Sequence, residues 1–163
     1  MNWDEISAIS QAIGSIAVVF SVLYLAIQVH QSTRIAKVAA QDAATTALRE
    51  VTRPFAENPE LARIWRIGLE NLKELSAEEQ ARFFHSTYQF LKAFETIHSH
   101  HVFGLMDDQT WLGWCGLLRH YIGSPGIEHY WRLRQELFST RFQQFVAGLE
   151  PAKDRRTVGN LFD

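Results

Sequence analysis

Glu95 and His98 stand three residues apart in a segment whose apolar residues recur at helical spacing, so the two side chains share one helical face. Di-iron bundle proteins use this Glu-x-x-His spacing twice and complete the shell with two further glutamates. Here the motif occurs once. His101, lying close behind, extends the candidate metal set to Glu95, His98 and His101, and a metal-dependent or redox enzyme built on that set is the alternative function. One carboxylate with one or two imidazoles leaves a metal shell incomplete. The competing reading makes Glu95 a partly buried carboxylate paired with an arginine such as Arg66, Arg119 or Arg132, and His98 a hydrogen-bonded core histidine.

The remaining reactive side chains carry less. His98, His100 and His101, with His85, His120 and His129 elsewhere, titrate near neutrality and suggest a pH sensor, but three histidines within four residues point to different faces. Cys115 sits between Trp114 and Gly116 with no activating base nearby in sequence, which suits a small buried hydrophobe. There is no Gly-x-Ser-x-Gly nucleophile turn and no glycine-rich phosphate loop. No catalytic residue and no cofactor is expected. The aromatic run from Trp111 to Trp131 reads as plain core.

The element that dominates the chain lies far from these groups. Ile6 to Thr33 is a run of 28 positions without Asp, Glu, Lys or Arg. An uncharged apolar stretch of about 18 residues or more is long enough, at about 1.5 Å per residue, to cross the hydrocarbon of a bilayer. The residues before it, Asn2 to Glu5, are acidic where a cleaved signal peptide would be basic, so the run reads as a retained anchor. Its nearest basic flanks, Arg34 and Lys37, both follow it, which places the N-terminus outside and the rest of the chain in the cytoplasm. A single cysteine agrees, since one thiol builds no internal disulfide framework.

The anchor has unlike faces. Ser7, Ser10, Gly14, Ala17, Ser21, Tyr24 and Gln28 form one stripe, and Ile9, Ile13, Ile16, Phe20, Leu23 and Ile27 form a second, bulkier one. In lipid, small residues let helix backbones touch, and Ser or Gln can bond across the contact. The first stripe is therefore the expected membrane helix-packing face, toward a copy of this chain or another protein's helix. Below it, Ala36, Ala39, Ala40, Ala43, Ala44 and Ala47 repeat at spacings of three and four. That juxtamembrane stripe permits close packing either between protomers or against the protein's own domain.

The organisation that follows is all-α: a long N-terminal transmembrane helix continuing into a small antiparallel helical bundle. Residues 1–33 are the anchor, 34–53 a juxtamembrane helix ended by Pro54, 54–150 the bundle and 151–163 a flexible polar tail. Asn58-Pro59 opens a helix reaching about Leu72, and Ser76 with Glu79 is a capping box for one reaching about Phe103 and stopping at Gly104. Asp107 or Asp108 caps a segment ending at Gly123. Ser124-Pro125 starts another through about Leu137, and Ser139 to Leu149 is a final short helix. Phe83, Phe84, Tyr88, Leu91, Phe94, His98, Val102 and Leu105 should face the core. The 130 residues after the anchor suffice for one core, and their 16 basic and 16 acidic side chains cancel, which gives no electrostatic case for nucleic acid.

The segments Tyr24-Leu25-Ala26-Ile27-Gln28-Val29-His30-Gln31-Ser32-Thr33, Asn58-Pro59-Glu60-Leu61-Ala62, Phe94-Glu95, Gly104-Leu105, Trp111 with Trp114, and Ser124-Pro125-Gly126 through Trp131 to Phe138 and Phe145 carry a resemblance. Over Ile9 to Leu149 the chain resembles a family of small bacterial membrane proteins of uncharacterised activity, with one N-terminal anchor helix and a cytoplasmic helical domain. The resemblance implies that anchor and bundle form one module in the bacterial inner membrane. It brings no cofactor or catalytic residue. The expected partners are membrane lipid and either copies of the chain or a larger membrane complex that it joins as an accessory subunit.

Overall fold

The computed structural model describes residues 2–152, apart from the side chains of residues 4–6, 8–10 and 12. Ser10 of the anchor stripe and the tail from Lys153 onward thus lie outside the described residues. Within them the chain is all-α: α1 (Trp3–Glu57), α2 (Pro59–Glu70), α3 (Ala77–Val102), α4 (Asp108–Ile122), α5 (Pro125–Arg134) and α6 (Thr140–Ala147), with single 3-10 turns at Leu72–Glu74 and Gln135–Leu137. Two compact units divide it, Met1–Ala39 and Ala40–Asp163.

The helix ends follow from local chemistry. Asn58 Oδ1 accepts the N–H groups of Glu60 and Leu61 at 2.9 and 3.2 Å, with Pro59 at the first helical position where no N–H is missed. Ser76 and Glu79 satisfy each other's backbone donors in a capping box. Asp107 Oδ1 accepts from Thr110 N–H at 2.9 Å. Behind α3, Gly104 takes φ +71, a left-handed turn that a residue without Cβ enters at no steric cost.

Pro54 behaves differently from the expectation that it ends α1 at Arg53. The helix continues through it to Glu57. Proline denies the Glu50 carbonyl its ladder partner, but Glu50 is exposed and water can serve that oxygen. The last turn is held by an Arg53–Glu57 ion pair at 2.6 Å and by Phe55 stacked on Trp65 at 4.8 Å and 20°. Side-chain contacts made by the final turn outweigh the local preference.

The first unit is helix alone, and its apolar side chains from Ile13 to Val38 are exposed on every side. The second unit has a single core. Trp65 of α2 lies near its centre with ring centroids of Phe83, Phe90 and Tyr121 at 5.4, 5.5 and 6.2 Å. Around it pack Phe94 and Ile97 of α3, Ile127 and Tyr130 of α5, Phe142 of α6, and Ala44 from the last part of α1. The alanine stripe therefore splits: Ala40 and Ala44 are buried and Ala47 is half-buried in this unit, while Ala36, Ala39 and Ala43 are exposed.

Along α3 the buried residues are Phe83, Thr87, Phe90, Leu91, Ala93, Phe94, Ile97 and His98. Tyr88 and Val102, assigned to the core from their spacing, are exposed instead. The buried residues Phe83, Thr87, Phe90, Phe94 and Ile97 recur at spacings of four and three themselves, so the expected face was offset to one side of the helix, and Tyr88 and Val102 fall on its exposed flank. Leu105 lies half-buried beyond the helix end.

Glu79 makes the capping box titratable. A bond from the Ser76 N–H and the neighbouring Arg63 guanidinium hold its carboxyl down at about 2, against an ordinary value of 4.5. A carboxyl whose folded pKa is depressed contributes stability that is present above the ordinary value and is lost as pH falls through the folded one. The wild-type urea midpoint should therefore exceed that of Glu79→Gln at pH 7, and the gap should close between about pH 4.5 and 2; a gap unchanged at pH 2 would contradict the assignment.

Candidate functional site

The chemistry-bearing residues of α3 lie along its C-terminal half, where the helix meets α4 and α6. Glu95 is half-buried, and both of its oxygens are occupied. Oε2 accepts from Lys92 Nζ at 2.6 Å, and Oε1 accepts from the backbone N–H of Ser139 at 2.6 Å. Lys92 Nζ also donates to the Leu137 carbonyl at 2.8 Å and sits 4.8 Å from the Phe138 ring centroid. Ser139 is the N-cap of α6, where orphan backbone donors and the helix dipole favour a negative charge. Burial pushes the Glu95 carboxyl up, but the bonds from Lys92 and Ser139 outweigh it and hold the group below its ordinary value.

This geometry corrects the pairing expected from sequence. Glu95 binds none of Arg66, Arg119 or Arg132; its cation is Lys92, one turn back on the same helix, and Arg119 Nε donates to the Glu150 carbonyl at 2.7 Å. Lys92 was legible, since residues three apart on a helix are neighbours. Ser139 was not, because its contribution is a backbone amide 44 residues away.

His98 is 7% exposed and surrounded by rings. It stacks on Phe145 at 4.6 Å and 19°, with Trp111 and Phe142 at 5.6 and 5.7 Å. Burial, then the neighbouring His101 and Arg141, push its imidazole pKa down, while Glu95 acts weakly the other way. The contacts that hold it are aromatic, not the hydrogen bond expected from sequence. His101 stacks on Trp111 at 4.6 Å and 9°, and its Nδ1 stands 4.0 Å from Asp108 Oδ1, beyond hydrogen-bond reach. Among the described residues no group of three His, Cys, Asp or Glu side chains is placed to hold a metal ion. Recruiting Glu95 to a metal would also release the Ser139 amide and Lys92.

The other histidines are dispersed: His85 Nδ1 contacts the Ala81 carbonyl at 2.9 Å on the surface, and His129 lies beside Phe84 at 6.2 Å. Cys115 is half-buried and burial pushes its thiol up, which disfavours the reactive thiolate despite the opposing Arg119.

In α1 the described members of the packing stripe, Ser7, Gly14, Ala17, Ser21, Tyr24 and Gln28, are all exposed. A Cβ built on Gly14 meets nothing within 4 Å. Ser21 Oγ donates to the Ala17 carbonyl at 2.8 Å, Ser15 Oγ to Gln11 at 2.9 Å and Thr33 Oγ1 to Val29 at 2.9 Å. These hydroxyls satisfy their own hydrogens inside the helix, so they tolerate an apolar solvent while keeping an oxygen free to accept. The apolar window that begins at Ile13 has a mean hydropathy of 1.9 over 18 residues, and none of it is buried. It is long and apolar enough to cross a membrane.

Two residues that shape the fold escaped sequence reasoning. Gly68 of α2 and Gly126 of α5 meet at a helix crossing so close that a Cβ on Gly126 would fall 1.9 Å from the Gly68 carbonyl oxygen. Only the geometry reveals that crossing. Compared with family models, curated proteins and solved structures, the chain matches none.

Proposed function

We propose that the protein is a non-enzymatic single-span subunit of a bacterial inner membrane. Residues of α1 cross the bilayer with the N-terminus outside, and the helical bundle works in the cytoplasm. It self-associates, or joins a larger membrane complex as an accessory subunit, through the face of Ser7, Ser10, Gly14, Ala17, Ser21, Tyr24 and Gln28. One observation carries this reading: a strongly apolar 18-residue window with no part of it buried. Contiguous apolar surface of that extent is far beyond what a soluble monomer exposes, and lipid is the solvent that removes its cost.

Several features support the details. Arg34 with Lys37 supplies the cytoplasmic basic flank. Self-bonded serines make the stripe compatible with lipid, and open space around Gly14 leaves room for a neighbouring helix. On the enzymatic alternative, Glu95 already has a structural task, tying the start of α6 to α3.

Gly14→Leu fills the small-residue face without adding charge. Cross-linking and native mass of the detergent-solubilised protein should show the assembled fraction falling several-fold, while extraction still requires detergent. Unchanged assembly would remove this face from the interface.

A further inference from the structure

Within the second unit, most large apolar side chains left in the open are only partly so: Tyr88, Leu133 and Leu137 range from 38% to 48% exposed. Phe103 and Leu112 stand apart at 70% and 67%. Both belong to one corner, where α3 ends at Val102 and α4 begins at Asp108, and Val102 is itself exposed. The last turn of α3 and the first turn of α4 are in contact there through the His101–Trp111 stack, and Leu112 follows Trp111 directly. Scattered single exposures need no explanation, but the two largest at one corner do.

We infer that this corner is a lipid-contacting surface, with Phe103 and Leu112 seated at the boundary between headgroups and acyl chains. The inference rests on the proposed anchor. Gln41 Nε2 donates to Asp107 Oδ2 at 3.0 Å, which fastens the corner to the part of α1 belonging to the second unit. Gln41 is only seven residues after Arg34, the basic flank of the span. At about 3.6 Å per residue, even fully extended chain leaves Gln41 no more than about 25 Å beyond Arg34. The corner is therefore leashed to the membrane surface whatever path the intervening chain takes.

The side chains have the chemistry of an interfacial contact. Arg141 of α6 places its guanidinium carbon 5.9 Å from the Phe103 ring centroid, so an apolar ring and a phosphate-binding cation are presented together. Opposing charge is present too. Asp108 is nearly fully exposed, whereas the Asp107 carboxylate is engaged by Gln41 and Thr110. With Arg141 and Asp108 in opposition, apolar insertion supplies the attraction, and the contact should form on zwitterionic as well as mixed anionic bilayers.

Spin labels at single cysteines in a Cys115→Ala background would read this in the full chain, reconstituted into phosphatidylcholine nanodiscs with and without phosphatidylglycerol. Phe103→Cys and Leu112→Cys report the corner, and Phe20→Cys reports the anchor. Glu78→Cys serves as the aqueous control; it lies near the other end of α3, about 37 Å away along the helix. Collision with oxygen, which concentrates in hydrocarbon, is compared with collision with a nickel chelate, which stays in water. The oxygen-to-nickel ratio at 103 and 112 should exceed that at 78 by at least threefold in both lipids. Ratios at 103 and 112 equal to that at 78, with position 20 still in hydrocarbon, would overturn the lipid contact alone. Exclusion of both reagents at 103 and 112 would overturn it as well, showing that protein, a second copy or another subunit, covers the corner. A water-like ratio at position 20 would remove the anchor and this inference together.

Discussion

Gly126→Ala is expected to destabilise the bundle by about 3 kcal/mol, the upper part of the range for overpacking a close-packed interior. The added Cβ would lie 1.9 Å from the Gly68 carbonyl oxygen, 2.9 Å from its carbonyl carbon and 3.0 Å from Phe83 Cζ. Backbone atoms of α2 cannot swing aside as a flexible side chain can, so the two helices must separate. Gly68→Ala meets a different obstruction, the Phe83 ring, 2.3 Å away and fully buried. Gly113→Ala supplies the contrast. Its Cβ would meet nothing within 4 Å on the exposed face of α4, and replacing a helical glycine by alanine stabilises by roughly 0.5–1 kcal/mol. Urea unfolding followed by tryptophan emission, which reports mainly on Trp65, Trp111, Trp114 and Trp131 of the bundle, should show midpoints moving in opposite directions for the same chemical change. A Gly126→Ala midpoint at or above wild type would mean that the helices do not cross so closely.

That pair also marks what the sequence could and could not announce. Caps are local contracts between residues two or three apart, so Asn58, Ser76 and Asp107 were legible as helix starts and Gly104 as a stop. The crossing at Gly68 and Gly126 joins residues 58 apart, and neither sits in a pattern that distinguishes a packing glycine from an exposed one such as Gly113. Pro54 was misread because its intrinsic preference was weighed without Phe55, whose stacking on Trp65 exists only in the folded unit. In the candidate site, spacing alone relates Glu95 to His98, whereas the Ser139 amide that occupies Glu95 belongs to a distant segment. The alanine stripe shows the same limit: small residues permit contact on either side of a helix, and Ala40 and Ala44 take the protein's own core while Ala36, Ala39 and Ala43 stay open.

Phe20→Arg should lower the ratio of membrane-retained to released chain roughly a hundredfold. Position 20 is near the middle of the uncharged run, and an arginine at the centre of a spanning helix costs about 2.5–3.5 kcal/mol, where each 1.4 kcal/mol is tenfold. The margin available to absorb that cost is small. From Ile13 to Ile27 nine Ile, Leu, Val and Phe residues contribute, each worth about 0.3–0.6 kcal/mol at best near the bilayer centre, and Gly14, Ser15, Ser21 and Tyr24 dilute them. Phe20→Leu keeps the apolar character and should partition as wild type. The side chain is exposed on α1 and touches nothing in the bundle core, so tryptophan emission and the urea midpoint of the bundle should be unaffected. The readout is the ratio of chain retained by membranes to chain released on alkaline carbonate washing. A helix lying flat on the surface would answer differently, since a charge on its flank can turn toward water and arginine can even strengthen its hold on anionic lipid. Retention of Phe20→Arg equal to that of Phe20→Leu would therefore replace a spanning α1 with an interfacial one, and the orientation assigned from Arg34 and Lys37 would fall with it.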